Sequence, residues 1–160
     1  MSLTELAIKR FQKAERHYAA LKDYKELIDE SLKTQNLFDV AIFETLRPEK
    51  RAILDAYLKR FSSMQDYLGA KIFPITLALA GINSEKMSDV LYHIEKEQLI
   101  DNLDTWLALR NTRNFLEHDY PDELLEALRD LKFCYDHFST LEQYYQNAKA
   151  FAKRYTHAIA

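Results

Sequence analysis

Leu103-Asp104-Thr105-Trp106-Leu107-Ala108-Leu109-Arg110-Asn111-Thr112-Arg113-Asn114-Phe115-Leu116-Glu117-His118-Asp119-Tyr120 decides how the chain is read. Apolar residues recur at helical spacing, and unlike polar groups are concentrated towards its end. With 103–118 wound as a helix at ~100° per residue and Arg110 as zero, Arg113 falls near ~−60°, Glu117 ~−20°, Asn114 ~+40° and His118 ~+80°. Leu103, Trp106 and Leu107 occupy the same sector. A surface helix ordinarily keeps its apolar and charged residues on opposite faces. A face that begins apolar and finishes as Arg, Arg, Asn, Glu and His is therefore expected to run inward. It should emerge at the rim of a helical bundle, or in a cleft between two copies of it.

Two readings of that stripe stay open on spacing alone. In the first, Arg113 and Glu117 form an i,i+4 ion pair, while His118 and the arginines complement the negative helix C-terminus. In the second, the stripe handles phosphate. Guanidinium forks onto phosphate oxygens, Asn adds a neutral donor, and imidazole titrates near physiological pH. Such a set could cleave an RNA phosphodiester without metal. His118 would take the proton of a 2′-hydroxyl or deliver one to the departing oxygen, and Arg113 would neutralise charge on the pentacoordinate phosphorus.

The segment Arg113-Asn114-Phe115-Leu116-Glu117-His118-Asp119-Tyr120 resembles the Arg-x4-His-x-Tyr signature of HEPN proteins. It is similar in particular to the small HepT-type members encoded beside minimal nucleotidyltransferases, a group that includes nucleotidyltransferase substrate-binding subunits. Arg110-Asn111 duplicates half of the motif but stands too far upstream of His118, so Arg113 is the motif arginine. The resemblance implies an all-helical domain that homodimerises and sets the Arg and His of both subunits around one cleft. It implies a metal-independent ribonuclease toxin, silenced by a partner transferase that adenylylates the motif tyrosine, here Tyr120. Arg113, His118 and Asn114 would then be the catalytic set and Arg110 an auxiliary phosphate contact.

With 160 residues, 48% hydrophobic and 29% charged, the chain reads as one domain, 1–160. Two glycines and three prolines are too few for the turns of a many-stranded sheet, so the expected fold is all-α, an up-and-down helical bundle. A net charge of −3 offers no global attraction to nucleic acid, so RNA would have to enter a local basic cleft. One cysteine, Cys134, excludes an intrachain disulfide and a cysteine-based zinc framework. Neither a signal-peptide pattern nor a stretch of ~20 apolar residues is present, so a cytoplasmic protein without a membrane partner is expected. No Gly-rich phosphate loop or other cofactor motif occurs, and no cofactor or metal is expected.

Ser2 and Glu5 have capping-box spacing for a helix from Leu3 to about Lys33–Asn36. Its His17 suits a core boundary better than a ligand role. Asn36 is expected to cap a short helix, Leu37–Leu46. Pro48 opens a third helix whose stripe of Ile53, Leu54, Tyr57, Phe61, Met64, Leu68 and Ile72 is apolar, and Pro74 should kink it before Gly81 stops it. Arg47, Lys50, Arg51, Lys59 and Arg60 read as a solvated face, or as an extension of a phosphate cleft. A helix from Asn83 or Ser84 to about Lys96 precedes the signature helix. Asp119-Tyr120-Pro121 should break the chain, leaving Tyr120 on a connector. A last long helix then runs from Pro121 towards Ala158, with Leu124, Leu128, Leu131, Tyr135 and Phe138 as a seam. So extended a helix is expected to outlast its bundle and build a dimer surface.

Two other constellations are weaker. Cys134 and His137 lack the further ligands a zinc site needs. Glu117, Asp119, Asp122 and Glu123 could suggest a magnesium nuclease, but carboxylates gathered at a helix N-terminus are commonplace. The alternative function is a non-catalytic partner subunit that presents a nucleotide or substrate to a nucleotidyltransferase. A third is a plain scaffold whose motif only closes a helix end.

Overall fold

The computed structural model describes residues 1–118 and 122–160, and among them every regular element is helical. Helix α1 spans Leu3–Leu32, α2 Val40–Thr45 and α3 Pro48–Tyr67. A π-helical segment, Leu68–Ile72, leads into α4, Phe73–Leu79. There follow α5, Met87–Lys96, α6, Leu103–His118, α7, Leu124–Asp136, and α8, Phe138–Lys153. The architecture is the expected all-α bundle. Helix α3 lies along α1, α6 packs on α3 and α7, and α8 packs on α1 and α4. These helices share one core, centred on Phe61, Phe73, Trp106, Tyr144 and Tyr145.

The local chemistry explains most of the ends. Ser2 Oγ accepts from Glu5 N at 3.1 Å and starts α1 as its spacing predicts. Pro48 occupies the first turn of α3, where its missing N–H leaves nothing unsatisfied. Gly81, at φ +76°, ends α4: Gly81 N bonds Ala78 O at 2.9 Å and Ile82 N reaches back to Leu77 O at 3.0 Å. Asn102 Oδ1 caps α6 by accepting from Thr105 N at 3.1 Å.

Four expectations need correction. Helix α2 starts at Val40, capped by Asp39, because Asn36 Oδ1 instead accepts from Phe38 N in a local turn. Leu37 and Phe38 are buried on that connector rather than on a helix. Helix α5 begins at Met87, after the positions expected, where the Asp89 carboxylate accepts from Lys86 N. The irregularity expected at Pro74 sits just before it, as the π segment, and Pro74 itself lies in the first turn of α4. Finally, the C-terminal arm does not run unbroken or protrude. It kinks at His137, whose Nδ1 pairs with Phe133 O at 2.8 Å. Helix α8 buries Leu141, Tyr144, Tyr145, Ala148 and Phe151 in the core.

Hydroxyl–carboxylate bonds tie the arm to the rest. Tyr145 Oη donates to Glu15 at 2.6 Å and Tyr144 Oη to Asp101 at 2.6 Å, while Tyr18 bonds Glu142 and Tyr135 bonds Asp29. Burial, then the acidic partner, holds each of these phenols above its ordinary value. Burial raises Asp29, but hydrogen bonds from Lys25 and Tyr135 and the charges of Lys25 and Lys33 outweigh it, so its carboxyl ends below the ordinary 3.8. His17, its ring tilted against Tyr67 at 5.0 Å between centroids, is lowered from 6.5 by burial and by Lys13, Arg60 and Arg16. Both groups take up a proton more readily when the chain is unfolded, so acid favours unfolding through each. Stability is therefore expected to fall in two windows, below about pH 6.5 through His17 and below about pH 4 through Asp29. Urea unfolding across pH should show the first window flattened in His17→Gln and the second in Asp29→Asn.

Candidate functional site

The π segment approaches α6 closely at Gly69. A Cβ at Gly69 would stand 3.2 Å from Trp106 Cζ2, and Trp106 cannot easily retreat because Phe73 and Tyr144 pack against it. Gly69→Ala is expected to destabilise the fold by about 1 kcal/mol despite the better helix propensity of alanine. Denaturant unfolding checks this. Arg10 Nη1 donates to Lys71 O at 3.1 Å, satisfying one carbonyl of the irregular turn.

Beside this close approach lies a recess of about 200 Å3, lined among others by Gln65, Asp66, Gly69, Trp106, Arg110 and Arg113. Arg113 is its best-fixed member, buried to 3% exposure. Its Nε donates to Gln65 Oε1 at 2.7 Å, its Nη1 to Asn114 Oδ1 at 2.9 Å, and its Nη2 to Asp66 Oδ1. Gln65 is itself fixed, since Nε2 donates to Trp106 O at 3.0 Å. All three guanidinium nitrogens are thus engaged within the chain. Arg110, one turn earlier, is exposed and has no ion pair among the described residues.

His118 ends α6, exposed, and opens onto a separate recess of about 290 Å3 with Asp55, Leu58, Lys59 and Glu117. The structure therefore brings Arg110, Arg113 and Asn114 together and sets His118 apart from them within one chain. The Arg113–Glu117 ion pair of the first reading does not form: Arg113 pairs with Asp66, and Glu117 accepts from Ser62. Of the basic segment, only Lys59 reaches the His118 recess. Lys50 bonds Ser31 at 3.0 Å and Arg47 pairs with Glu49 at 3.4 Å. Tyr120, the expected modification target, lies outside the described residues, as does Asp119 of the carboxylate cluster.

Gln65 and Asp66 escape the sequence reading. A signal for Gln65 existed: it follows Phe61 by one helical step, on the apolar stripe of α3, where a polar residue announces a buried partner. Asp66 carries no such mark.

Cys134 is buried, and burial first pushes its thiol up to about 12, so it is neither a nucleophile nor a ready ligand. Among the described residues no group of three or more His, Cys, Asp or Glu side chains is placed to hold a metal ion. Likewise, no helix among them is long and apolar enough to cross a membrane. A larger recess, about 490 Å3, lies between α1, α8 and the C-terminal residues and holds none of the motif residues. The fold and site define a helical bundle with a two-arginine recess between the π segment and α6, and a second recess at the end of α6. No family model matches the chain, and no curated protein or solved structure matches it.

Proposed function

We propose that this chain is a HepT-like HEPN protein, a metal-independent endoribonuclease toxin paired with a minimal nucleotidyltransferase. The observation that carries the proposal is the composition of α6: one helix supplies a guanidinium locked in orientation, a second exposed guanidinium, and an exposed terminal imidazole. A fixed guanidinium suits developing phosphoryl charge because it need not reorganise during the reaction. Because His118 and the arginines open onto different recesses, the reading requires two copies of the chain, with His118 of one facing the arginine recess of the other. His118 then relays the proton between the 2′-hydroxyl and the departing 5′-oxygen, Arg113 and Arg110 hold the phosphoryl oxygens, and Asn114 keeps Arg113 aligned. Tyr120 is the residue adenylylated by the partner.

Purified protein incubated with RNA in EDTA tests this. Cleavage with 2′,3′-cyclic phosphate ends is expected, and intact RNA counts against a ribonuclease. One observation favours a second reading, in which the chain binds a nucleotide or substrate for the transferase and cleaves nothing. Each guanidinium nitrogen of Arg113 already holds a partner, Gln65, Asn114 or Asp66, whereas Arg110 is exposed and has no ion pair among the described residues. That reading expects nucleotide binding weakened by Arg110→Gln, with no RNA product.

A further inference from the structure

The recess that holds the two arginines also contains a carboxylate that a simple anion site does not need. Asp66 accepts from Arg113 Nη2, yet its side chain is 67% exposed, whereas that of Arg113 is 4% exposed. Gln65 and Asn114 fix the other two nitrogens of Arg113, so the guanidinium cannot turn to a new partner. Of the pair, only Asp66 can move. If it swings outward, Nη2 is released on a recess to which Arg110 also contributes a guanidinium.

Resting on the reading that these arginines handle phosphoryl groups, we propose that Asp66 is a resident competitor on Arg113. It makes the recess accept a phosphomonoester dianion and resist a phosphodiester monoanion. The reason is charge. Exchanging a carboxylate for a diester leaves the charge beside Arg113 unchanged and gives up an anion that its own chain holds at high effective concentration. A monoester brings a second negative charge and engages Arg113 Nη2 and Arg110 together, as charge-assisted hydrogen bonds. The same rule acts during cleavage. The 2′-oxygen, its proton lost to a base, forms a bond to phosphorus, so the phosphoryl oxygens carry two negative charges before the P–O5′ bond breaks. The 5′-oxygen then leaves with a proton, and a cyclic phosphate remains. Asp66 yields Arg113 only to the doubly charged species, so the guanidinium contact strengthens as the reaction proceeds.

Calorimetric titration with methyl phosphate and dimethyl phosphate at about pH 8, above the monoester's second ionisation near ~6, reads the preference directly. The wild-type chain is expected to bind methyl phosphate at least about tenfold more tightly, and Asp66→Asn to tighten dimethyl phosphate about tenfold, narrowing the gap. Asp66→Ala should do the same, and Arg110→Gln should weaken both ligands in either background. Far-UV circular dichroism confirms that the variants are folded. Unchanged or weaker dimethyl phosphate binding in both Asp66 variants would overturn the proposal and make Asp66 a prop for Arg113. RNA cleavage followed in parallel separates the two ideas. Cleavage that depends on His118, with no gain in either Asp66 variant, overturns the competitor alone. A gain without any cleavage upholds the competitor and removes the ribonuclease.

Discussion

His118→Ala is expected to lower RNA cleavage by about 10²–10⁴-fold, the range that general acid–base catalysis supplies. The fold should hardly register the change. His118 is exposed at the last position of α6, and its side chain makes no hydrogen bond among the described residues. A cation at a helix C-terminus contributes about 1 kcal/mol or less to stability. A large kinetic loss with an almost unaltered urea midpoint therefore separates the catalytic reading from the scaffold reading. In the scaffold version the substitution alters stability alone, and there is no cleavage to lose. Gel analysis of a uniform RNA in EDTA, with unfolding followed on the same preparations, measures both.

Arg113→Ala should behave in the opposite way. Truncation is expected to remove about 3 kcal/mol of unfolding free energy, the sum of an orphaned buried acceptor and an unfilled space. The acceptor is Gln65 Oε1, in a side chain only 1% exposed, whose amide is already committed to Trp106 O and cannot turn away. Asp66 loses its partner too, but it is exposed and water replaces the guanidinium. Arg113→Met, which keeps much of the stem volume and removes the charge, should recover about half of the loss. A helix-terminal cation of the ordinary kind would move stability by about 1 kcal/mol or less. A loss that small in Arg113→Ala would mean that the network with Gln65 holds nothing in place. Any cleavage deficit of the alanine variant must be read against its stability, whereas the methionine variant isolates the missing charge.

The helical fold was legible because apolar spacing fixes faces without needing to know the neighbours. The capping of α1 by Ser2, the opening of α3 at Pro48 and the left-handed stop at Gly81 are likewise local chemistry. The break at His137 was not legible, since Leu131, Tyr135, Phe138 and Leu141 keep their spacing through it and no apolar position marks the kink.

Of the candidate residues, the sequence brought out Arg110, Arg113 and Asn114, which the fold does gather, but the direction of their helix face was misread. Centring the α6 sector on Arg110 placed Arg113 and His118 on one stripe. The buried residues are instead Trp106, Leu109, Arg113 and Leu116, so Leu109 and Leu116 turn the inward face towards Arg113 and away from His118. Two apolar residues outweigh the polar pattern because burying them drives the docking of α6, and the arginine follows only because Gln65 and Asp66 satisfy it. Those two partners are distant in sequence, and nothing in α6 names them.

In the proposed dimer, one phosphoryl site is assembled from the arginine recess of one chain and His118 of another. Mixing equal amounts of Arg113→Met and His118→Ala chains, each inactive alone, tests it most directly once the chains have exchanged. Half of the dimers then contain both kinds of chain, and each of these has one complete site, so cleavage should return to about a quarter of the wild-type rate. A mixture that exchanges freely and still leaves the RNA intact would contradict the shared site.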